Sequence, residues 1–190
     1  MMTFVNMDSE GLTILPTHRV VFGLSGFDTA KFLEQAKAFF TVQRLAEHAD
    51  AASLQKTLTE AGTKGSAFIA VTRTGTYLLQ SDPEAIAAAL STLAERQRKL
   101  DVVQLHKIIL EKLLGISEQA ILDQTHLRYL RDTAEATQQV ARGEAQIAFL
   151  MNPAKLEQLR EVAFAGDVMP QKSTDFYPKL LSGLAIYALD

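Results

Sequence analysis

Cysteine is absent from all 190 residues of the sequence. This absence excludes a disulfide framework, a zinc site built on thiolates and a cysteine nucleophile. Long apolar runs are also missing, since none approaches the roughly 20 residues that cross a bilayer, so we expect no membrane partner. The first residues, MMTFVNMDSEG, lack the basic and apolar regions of a signal peptide. Together these absences predict a cytoplasmic protein.

An excess of positive charge is missing as well. The net charge is -3 and the isoelectric point is near 5.8, which predicts that nucleic acid is not a partner. Hydrophobic residues make up 47% and charged residues 22% of the chain, an ordinary globular composition. No internal repeat or low-complexity linker divides the sequence, so we interpret residues 1–190 as a single domain with its own core.

β-prone runs and helical patterns are mixed along the chain. Residues 67–80 predict a β-hairpin, because two β-rich runs flank Thr74-Gly75. In the last third, strand and helix patterns alternate and end in the β-prone run 176–187. These patterns predict an α+β fold with a single mixed β-sheet flanked by helices. The α/β-like alternation of the last third predicts partly parallel pairing, with residues 176–187 inside the sheet.

The β-prone stretch 12–22 contains the first candidate binding residues. By period-two alternation His18 falls on the apolar face, whereas Arg19 falls on the other face. Arg19 offers a planar fork suited to carboxylate or phosphate. His18 has two interpretations: a histidine hydrogen-bonded in the core, or an acid–base group if the sheet bends at Pro16.

A polar loop near the carboxyl end contains the second candidate. Gly166 to Ser173 reads G-x-x-x-x-Q-K-S, close to a phosphate-binding P-loop, but a P-loop opens a helix and the residues that follow are β-prone. Lys172, Ser173 and Thr174, with Lys179 a few residues on, still provide donors for a small anionic ligand. The alternative interpretation is an ordinary polar loop with a solvated lysine.

The remaining chemistry-bearing residues give weaker signals. His106 lies on or beside the apolar stripe of a predicted helix, for which Asp101 and Gln104 form a candidate capping box. No cluster of aspartate and histidine has the spacing of metal ligands, so the sequence predicts no metal site. Neither a catalytic residue nor a cofactor can be named from the residues.

Four segments together resemble one family. They are MMTFVNMDSEGLTILPTHRVV (1–21), LDVVQLHKIILEKLLGI (100–116), residues 127–143 and the terminal block 146–189, which contains AGDVMPQKSTDFYPKLLSGL. The sequence is similar to the C-terminal portion of the family called domain of unknown function 1015. Family members are about twice as long, and their upstream half has an Asp-Gly-His-His-Arg type motif, similar to ParB-like phosphotransfer proteins, that this sequence lacks. Asp175 stands where the family usually has an aromatic residue.

The resemblance leads to two functional hypotheses. In the first, the chain is the ligand-binding portion of a composite enzyme acting on an acidic or phosphorylated small molecule. The ligand would contact the loop residues and Arg19, and the upstream half would supply the reactive groups. In the second, the chain is a non-catalytic interaction module that forms a homodimer or binds the upstream domain through Phe176, Tyr177, Leu180 and Leu181, residue types enriched at interfaces.

Overall fold

The computed structural model describes Asn6, residues 11–46 and residues 49–179. The strands are β1 (Thr13–Leu15), β2 (His18–Val21), β3 (Phe40–Arg44), β4 (Ala67–Thr72), β5 (Gly75–Ser81), β6 (Leu127–Leu130), β7 (Ile147–Met151) and β8 (Asp175–Tyr177). The α-helices are α1 (Thr29–Ala36), α2 (Ala51–Gly62), α3 (Pro83–Ala89), α4 (Glu95–Arg98), α5 (Asp101–Gln104), α6 (Glu118–Leu122), α7 (Thr133–Ala141) and α8 (Leu156–Phe164). A π-helix, Leu105–Leu113, continues directly from α5.

Six strands form one sheet in the order β3-β5-β4-β7-β2-β6, and β1 and β8 form a separate two-stranded sheet. The α+β class with helices against a sheet is therefore confirmed, as is the hairpin, in which Thr72 pairs with Gly75. The prediction of parallel pairing is wrong, because every pair among the described strands is antiparallel. The reason is that β7 inserts between β4 and β2 instead of beside β6.

Two apolar cores cover the two faces of the six-stranded sheet. One face packs against α1, α5 and the π-helix, with Phe32, Phe149 and Ile109 among its buried residues. The other face packs against α2 and α7, through residues such as Leu58 and Val140. The alternating side chains of each central strand are consequently buried on both sides, as the uniformly buried β2, β4 and β7 show.

Pro16 lies between β1 and β2, which belong to different sheets. Proline lacks the N–H that a sheet ladder requires, so it favours such an interruption. Of the run 176–187, the structure describes only residues up to Lys179. Its first two residues, Phe176 and Tyr177, complete β8, which pairs with β1. The prediction that it lies inside the main sheet is therefore wrong for these residues, and Leu181, Leu184 and Ile186 lie outside the described ranges.

The start of α5 differs from the sequence prediction. Asp101 is the first residue of α5 and Leu100 is its N-cap, so Asp101 makes no capping box with Gln104. Asn152 lies between β7 and α8. Its side-chain amide Nδ2 donates to the carbonyl oxygen of Leu58 at 2.9 Å. Both side chains are thereby available to line a cleft.

Among the described residues, no helix is long and apolar enough to cross a membrane.

Candidate functional site

Arg19 lies in the middle of β2 and is 2% exposed, because helices cover both faces of its strand. One guanidinium nitrogen, Nη1, donates to the carbonyl oxygen of Thr17 and lies 3.3 Å from the sulfur of Met151. The other, Nη2, donates to the backbone carbonyl oxygen of Lys172 at 3.1 Å. The structure therefore brings Arg19 and the Lys172–Thr174 loop into direct contact, through the loop's backbone.

The charge of Arg19 has no acidic counterpart among the residues that the structure describes. No ion pair to it is formed within the described ranges, and its Cζ atom lies 5.1 Å from the ring centroid of Tyr129. Burial lowers the pKa of Arg19 to about 10, so the guanidinium stays charged at neutral pH. Its Nε atom is buried and has no hydrogen-bond partner in the part of the chain that the structure describes. A buried cation in this state is costly, which makes its surroundings a candidate site.

His18 is fully buried and hydrogen-bonded at both ring nitrogens. Its Nδ1 accepts from the backbone N–H of Met151 at 3.2 Å, so Nε2 carries the proton that is donated to the Thr133 hydroxyl oxygen at 3.0 Å. Burial, followed by the positive charge of Arg19, lowers the pKa of His18 to about 4. The core interpretation is thus the one that the geometry supports. This imidazole ties β2 to β7 and α7.

The loop that follows Gly166 has the composition predicted for anion binding. Lys172 is exposed and adopts a left-handed φ of 58°, uncommon for a residue other than glycine. The hydroxyl of Ser173, 9% exposed, donates to the carbonyl oxygen of Pro170, and Thr174 is half-buried. Strand β8 follows the loop, so the P-loop interpretation is excluded by the structure as well.

Lys179 differs from Lys172 in that its charge is already paired. Its Nζ lies 2.6 Å from Asp175 Oδ1, and Arg131 donates to the same oxygen at 2.9 Å. Asp175, the residue that departs from the family pattern, therefore binds two cations at the edge of the small sheet. This leaves Lys172 as the loop cation whose ammonium faces solvent.

A cleft of about 1210 Å³ opens between α2, α3, α5 and the start of α8, a size sufficient for a small-molecule ligand. Asp101 lies in its wall, and burial raises the pKa of this carboxyl to about 6, although the Ser66 hydroxyl and Lys155 oppose the shift. By accessible surface Asp101 is half-buried, and an acid with a perturbed pKa in a cleft is a recognised mark of a functional site. Sequence reasoning missed this role because Asp101 looked like a helix cap.

A second cavity of about 20 Å³ lies beside the cleft and is lined by Arg19, Lys172 and Ser173. The cavity and the cleft share five lining residues, which are Asp101, Asn152, Pro153, Ala154 and Gln158. Gly62 allows Asn152 to lie here, because a Cβ on residue 62 would come within 2.3 Å of the Asn152 Nδ2 atom. The arrangement places a buried cation behind the wall of a ligand-sized cleft.

His106 lies on the π-helix and is buried, as its place beside the apolar stripe predicts. Burial, followed by the charge of Arg19, lowers its pKa to about 3. Its Nε2 atom lacks a hydrogen-bond partner within the described ranges. Within these ranges, no group of three or more histidine, aspartate or glutamate side chains could hold a metal ion.

Comparison with known sequences decides the family. A family model described as "protein of unknown function (DUF1015)" matches residues 1–144. The chain belongs to this family. The match includes the Arg19 strand and Asp101, whereas the Lys172 loop lies beyond it. Among curated proteins, no significant match is found.

Solved structures show the same fold at low sequence identity. The free serine kinase in complex with AMP has a TM-score of 0.52 at 16% identity, over 90% of this chain and 56% of that one. A mutant of that kinase in complex with ADP gives 0.51 at 15%, over 92% and 57%. A conserved hypothetical protein from Pyrococcus furiosus gives 0.51 at 16%, over 90% and 59%. This family member thus spans somewhat more than half the length of each structure that it resembles.

Proposed function

We propose that this chain is the ligand-binding portion of a small-molecule kinase-like enzyme, and that its ligand is acidic or phosphorylated. The observation that carries the proposal is the contact between Arg19 and the Lys172–Thr174 loop. A buried guanidinium that has no acidic partner among the described residues donates to the loop backbone, while Lys172 itself is exposed. The AMP and ADP bound to the free serine kinase are anionic ligands of the kind that such a loop suits.

Each predicted residue then has a distinct role in binding the ligand or in holding the loop. Lys172 and Thr174 contact the anionic group, because a charge-assisted hydrogen bond from an ammonium suits carboxylate or phosphate oxygens. Ser173 and Arg19 hold the loop in place, and His18 holds the strand on which Arg19 lies. Lys179 balances Asp175 at the end of the loop. The reactive groups would come from the upstream half of the family architecture.

Replacing Lys172 with methionine is expected to weaken ligand binding by about 1–3 kcal/mol, the range for a lost charge-assisted hydrogen bond. This corresponds to roughly fivefold to 150-fold in the dissociation constant. The melting temperature should barely change, since Lys172 is exposed. Calorimetric titration with AMP, ADP and serine measures the loss.

Lys31 provides a matched control, because it is an exposed lysine on α1 that lines neither cavity. Lys31→Met should bind as the unchanged protein does. Equal binding by Lys172→Met and Lys31→Met would count against the proposal, as would loss of binding that is caused by unfolding of Lys172→Met.

An interaction module is the second candidate function. Phe164, the last residue of α8, is 86% exposed and Val168 is 82% exposed, and Tyr177 on β8 is 56% exposed. Exposed apolar surface of this kind is often covered by a partner or a second copy. Sedimentation distinguishes the two functions: under this alternative the protein self-associates and Phe164→Ser makes it monomeric, whereas a monomer at high concentration excludes a homodimer.

A further inference from the structure

Two acidic residues stand at the ends of the loop that contains Lys172. Asp167 begins this loop, residues 167–175, and Asp175 ends it as the first residue of β8. By charge alone an acid beside an anion-binding loop is unfavourable, because like charges repel. Both carboxylates, however, form ion pairs with basic side chains outside the loop. Their place in the loop therefore needs a reason other than attraction for the ligand.

Asp167 holds the start of the loop. Its Oδ2 atom lies 2.6 Å from Nε of Arg96 on α4, and the two side chains are 27% and 39% exposed. Its backbone N–H donates to the carbonyl oxygen of Val162 at 3.1 Å. Gly166, with a left-handed φ of 74°, provides the turn that ends α8 just before it. The start of the loop is thus tied both to α8 and to α4.

Asp175 holds the end of the loop. Arg131, the residue that follows β6, contacts it with two nitrogens: Nη2 donates to Oδ1 at 2.9 Å and Nε pairs with Oδ2. Nζ of Lys179 lies 2.6 Å from the same Oδ1. The side chain of Asp175 is only 14% exposed. A forked arginine–carboxylate contact of this kind fixes geometry as well as charge.

The middle of the loop is held by Arg19, whose Nη2 donates to the Lys172 carbonyl oxygen at 3.1 Å. Arginines from α4, from β2 and from the end of β6 therefore contact the loop at its start, middle and end. Fixing the backbone of a loop has an entropic cost. A loop that is held before the ligand arrives binds it more tightly than a loop that the ligand must order.

We propose that Asp167 and Asp175 are positioning residues, whose ion pairs hold the loop 167–175 in the conformation that binds an anionic ligand through Lys172. The proposal rests on the proposed function and adds two acidic residues to a site for anions. Neither aspartate contacts the ligand. Each acts through the basic side chains that it pairs with.

The sign of a mutational effect distinguishes positioning from charge. Asp167→Asn removes a negative charge, so long-range electrostatics alone would strengthen the binding of an anion. Positioning predicts the opposite, a dissociation constant about twofold to fivefold higher, as expected for loss of a partly exposed ion pair. Asp175→Asn should raise it by at least about fivefold, since that carboxylate is more buried and has two cationic partners. Calorimetric titration with AMP and ADP measures both changes.

Glu34→Gln is the matched control, because Glu34 on α1 forms an exposed ion pair of the same length, 2.6 Å, with Lys37. Its affinity should equal that of the unchanged protein. Arg96→Gln should weaken binding, and adding Asp167→Asn to it should weaken binding no further, since the pair is already lost. Melting temperatures show which variants fold. Should Asp175→Asn fail to fold, the more exposed Asp167 decides the outcome.

Amide hydrogen exchange in the ligand-free protein tests the positioning directly. Asp167→Asn and Asp175→Asn should speed exchange in residues 167–175, whereas Glu34→Gln should not. Unchanged exchange in both aspartate variants would overturn the proposal. Unchanged or tighter binding of AMP and ADP by Asp167→Asn would overturn it as well.

Failure of this proposal is distinguishable from failure of the proposed function. If the unchanged protein binds neither AMP nor ADP, the proposed function fails for these ligands, yet hydrogen exchange still decides whether the two aspartates hold the loop. If Lys172→Met weakens binding but Asp167→Asn does not, the proposed function stands and the positioning role fails.

Discussion

Phe149→Ala is expected to lower the free energy of unfolding by about 3–5 kcal/mol, the usual cost of emptying a buried aromatic site. Phe149 is fully buried on β7, the strand between β4 and β2. Its ring meets that of Phe32 edge-on at 5.8 Å between centroids, a contact that contributes beyond its buried area. Since domains of this kind have about 5–15 kcal/mol in total, the variant should lose roughly a fifth or more of its stability.

Urea unfolding measures this loss, and two variants serve as controls. Phe149→Leu keeps most of the apolar volume, so it should cost clearly less than Phe149→Ala. Phe164→Ala removes the same ring from a site that is 86% exposed, so its effect should stay within about 0.5 kcal/mol. Equal losses for Phe149→Ala and Phe164→Ala would contradict the core assignment.

The position of Phe149 also connects the core to the candidate site. It pairs with Arg19 across β7 and β2, and Met151, two residues further along β7, contacts both His18 and Arg19. In Phe149→Leu, the nitrogen–proton NMR signal of the Arg19 Nε–H should therefore stay at nearly its original position. A large displacement of that signal in Phe149→Leu would show that the geometry around Arg19 depends on the aromatic ring itself and not only on its buried volume.

Local patterns in the sequence predicted the features that depend on neighbouring residues. The hairpin 67–80 follows from its two β-rich runs and the Gly75 turn. Strand order depends on contacts between distant residues. The alternation in the last third predicted parallel neighbours, yet β7 pairs antiparallel with β4 and β2. Nothing in the residues of β7 distinguishes these arrangements, because a strand buried on both faces reads as continuously apolar in either.

The candidate site, like the fold, was predictable only in part. One ligand was expected to contact both the loop and Arg19, and the structure brings these two together through the Lys172 carbonyl oxygen. The sequence placed Arg19 on a polar face, but helices cover both faces of β2 and bury it. The role of Asp101 could not be read from its neighbours, since its raised pKa arises from tertiary burial. Ligand contacts by Lys172, Ser173, Thr174, Lys179, Arg19 and His18 stay predictions until binding is measured.

Two buried histidines should make the fold sensitive to mild acid. The pKa of His18 falls from 6.5 to about 4 and that of His106 from 6.5 to about 3, in both cases chiefly through burial. Each must stay neutral in the folded protein but can take up a proton once the chain unfolds. Their contribution to stability is therefore complete above about pH 6.5 and is lost progressively as pH falls toward the folded-state pKa values.

Lowering the pH from about 7.5 to about 5 should cost about 2 kcal/mol for each histidine. Asp101 acts in the opposite sense, because its folded-state pKa of about 6 lies above the ordinary aspartate value of 3.8. Lowering the pH to about 5 therefore restores a little over 1 kcal/mol of stability through this group. We therefore expect a net loss of about 2–3 kcal/mol from these three groups, measured by urea unfolding at the two pH values. His106→Met should remove about 2 kcal/mol of the loss, because methionine fills a similar space and does not titrate. Asp101→Asn should instead lose more stability on acidification than the unchanged protein does. A loss of the same size in all three proteins would show that other groups control the acid response.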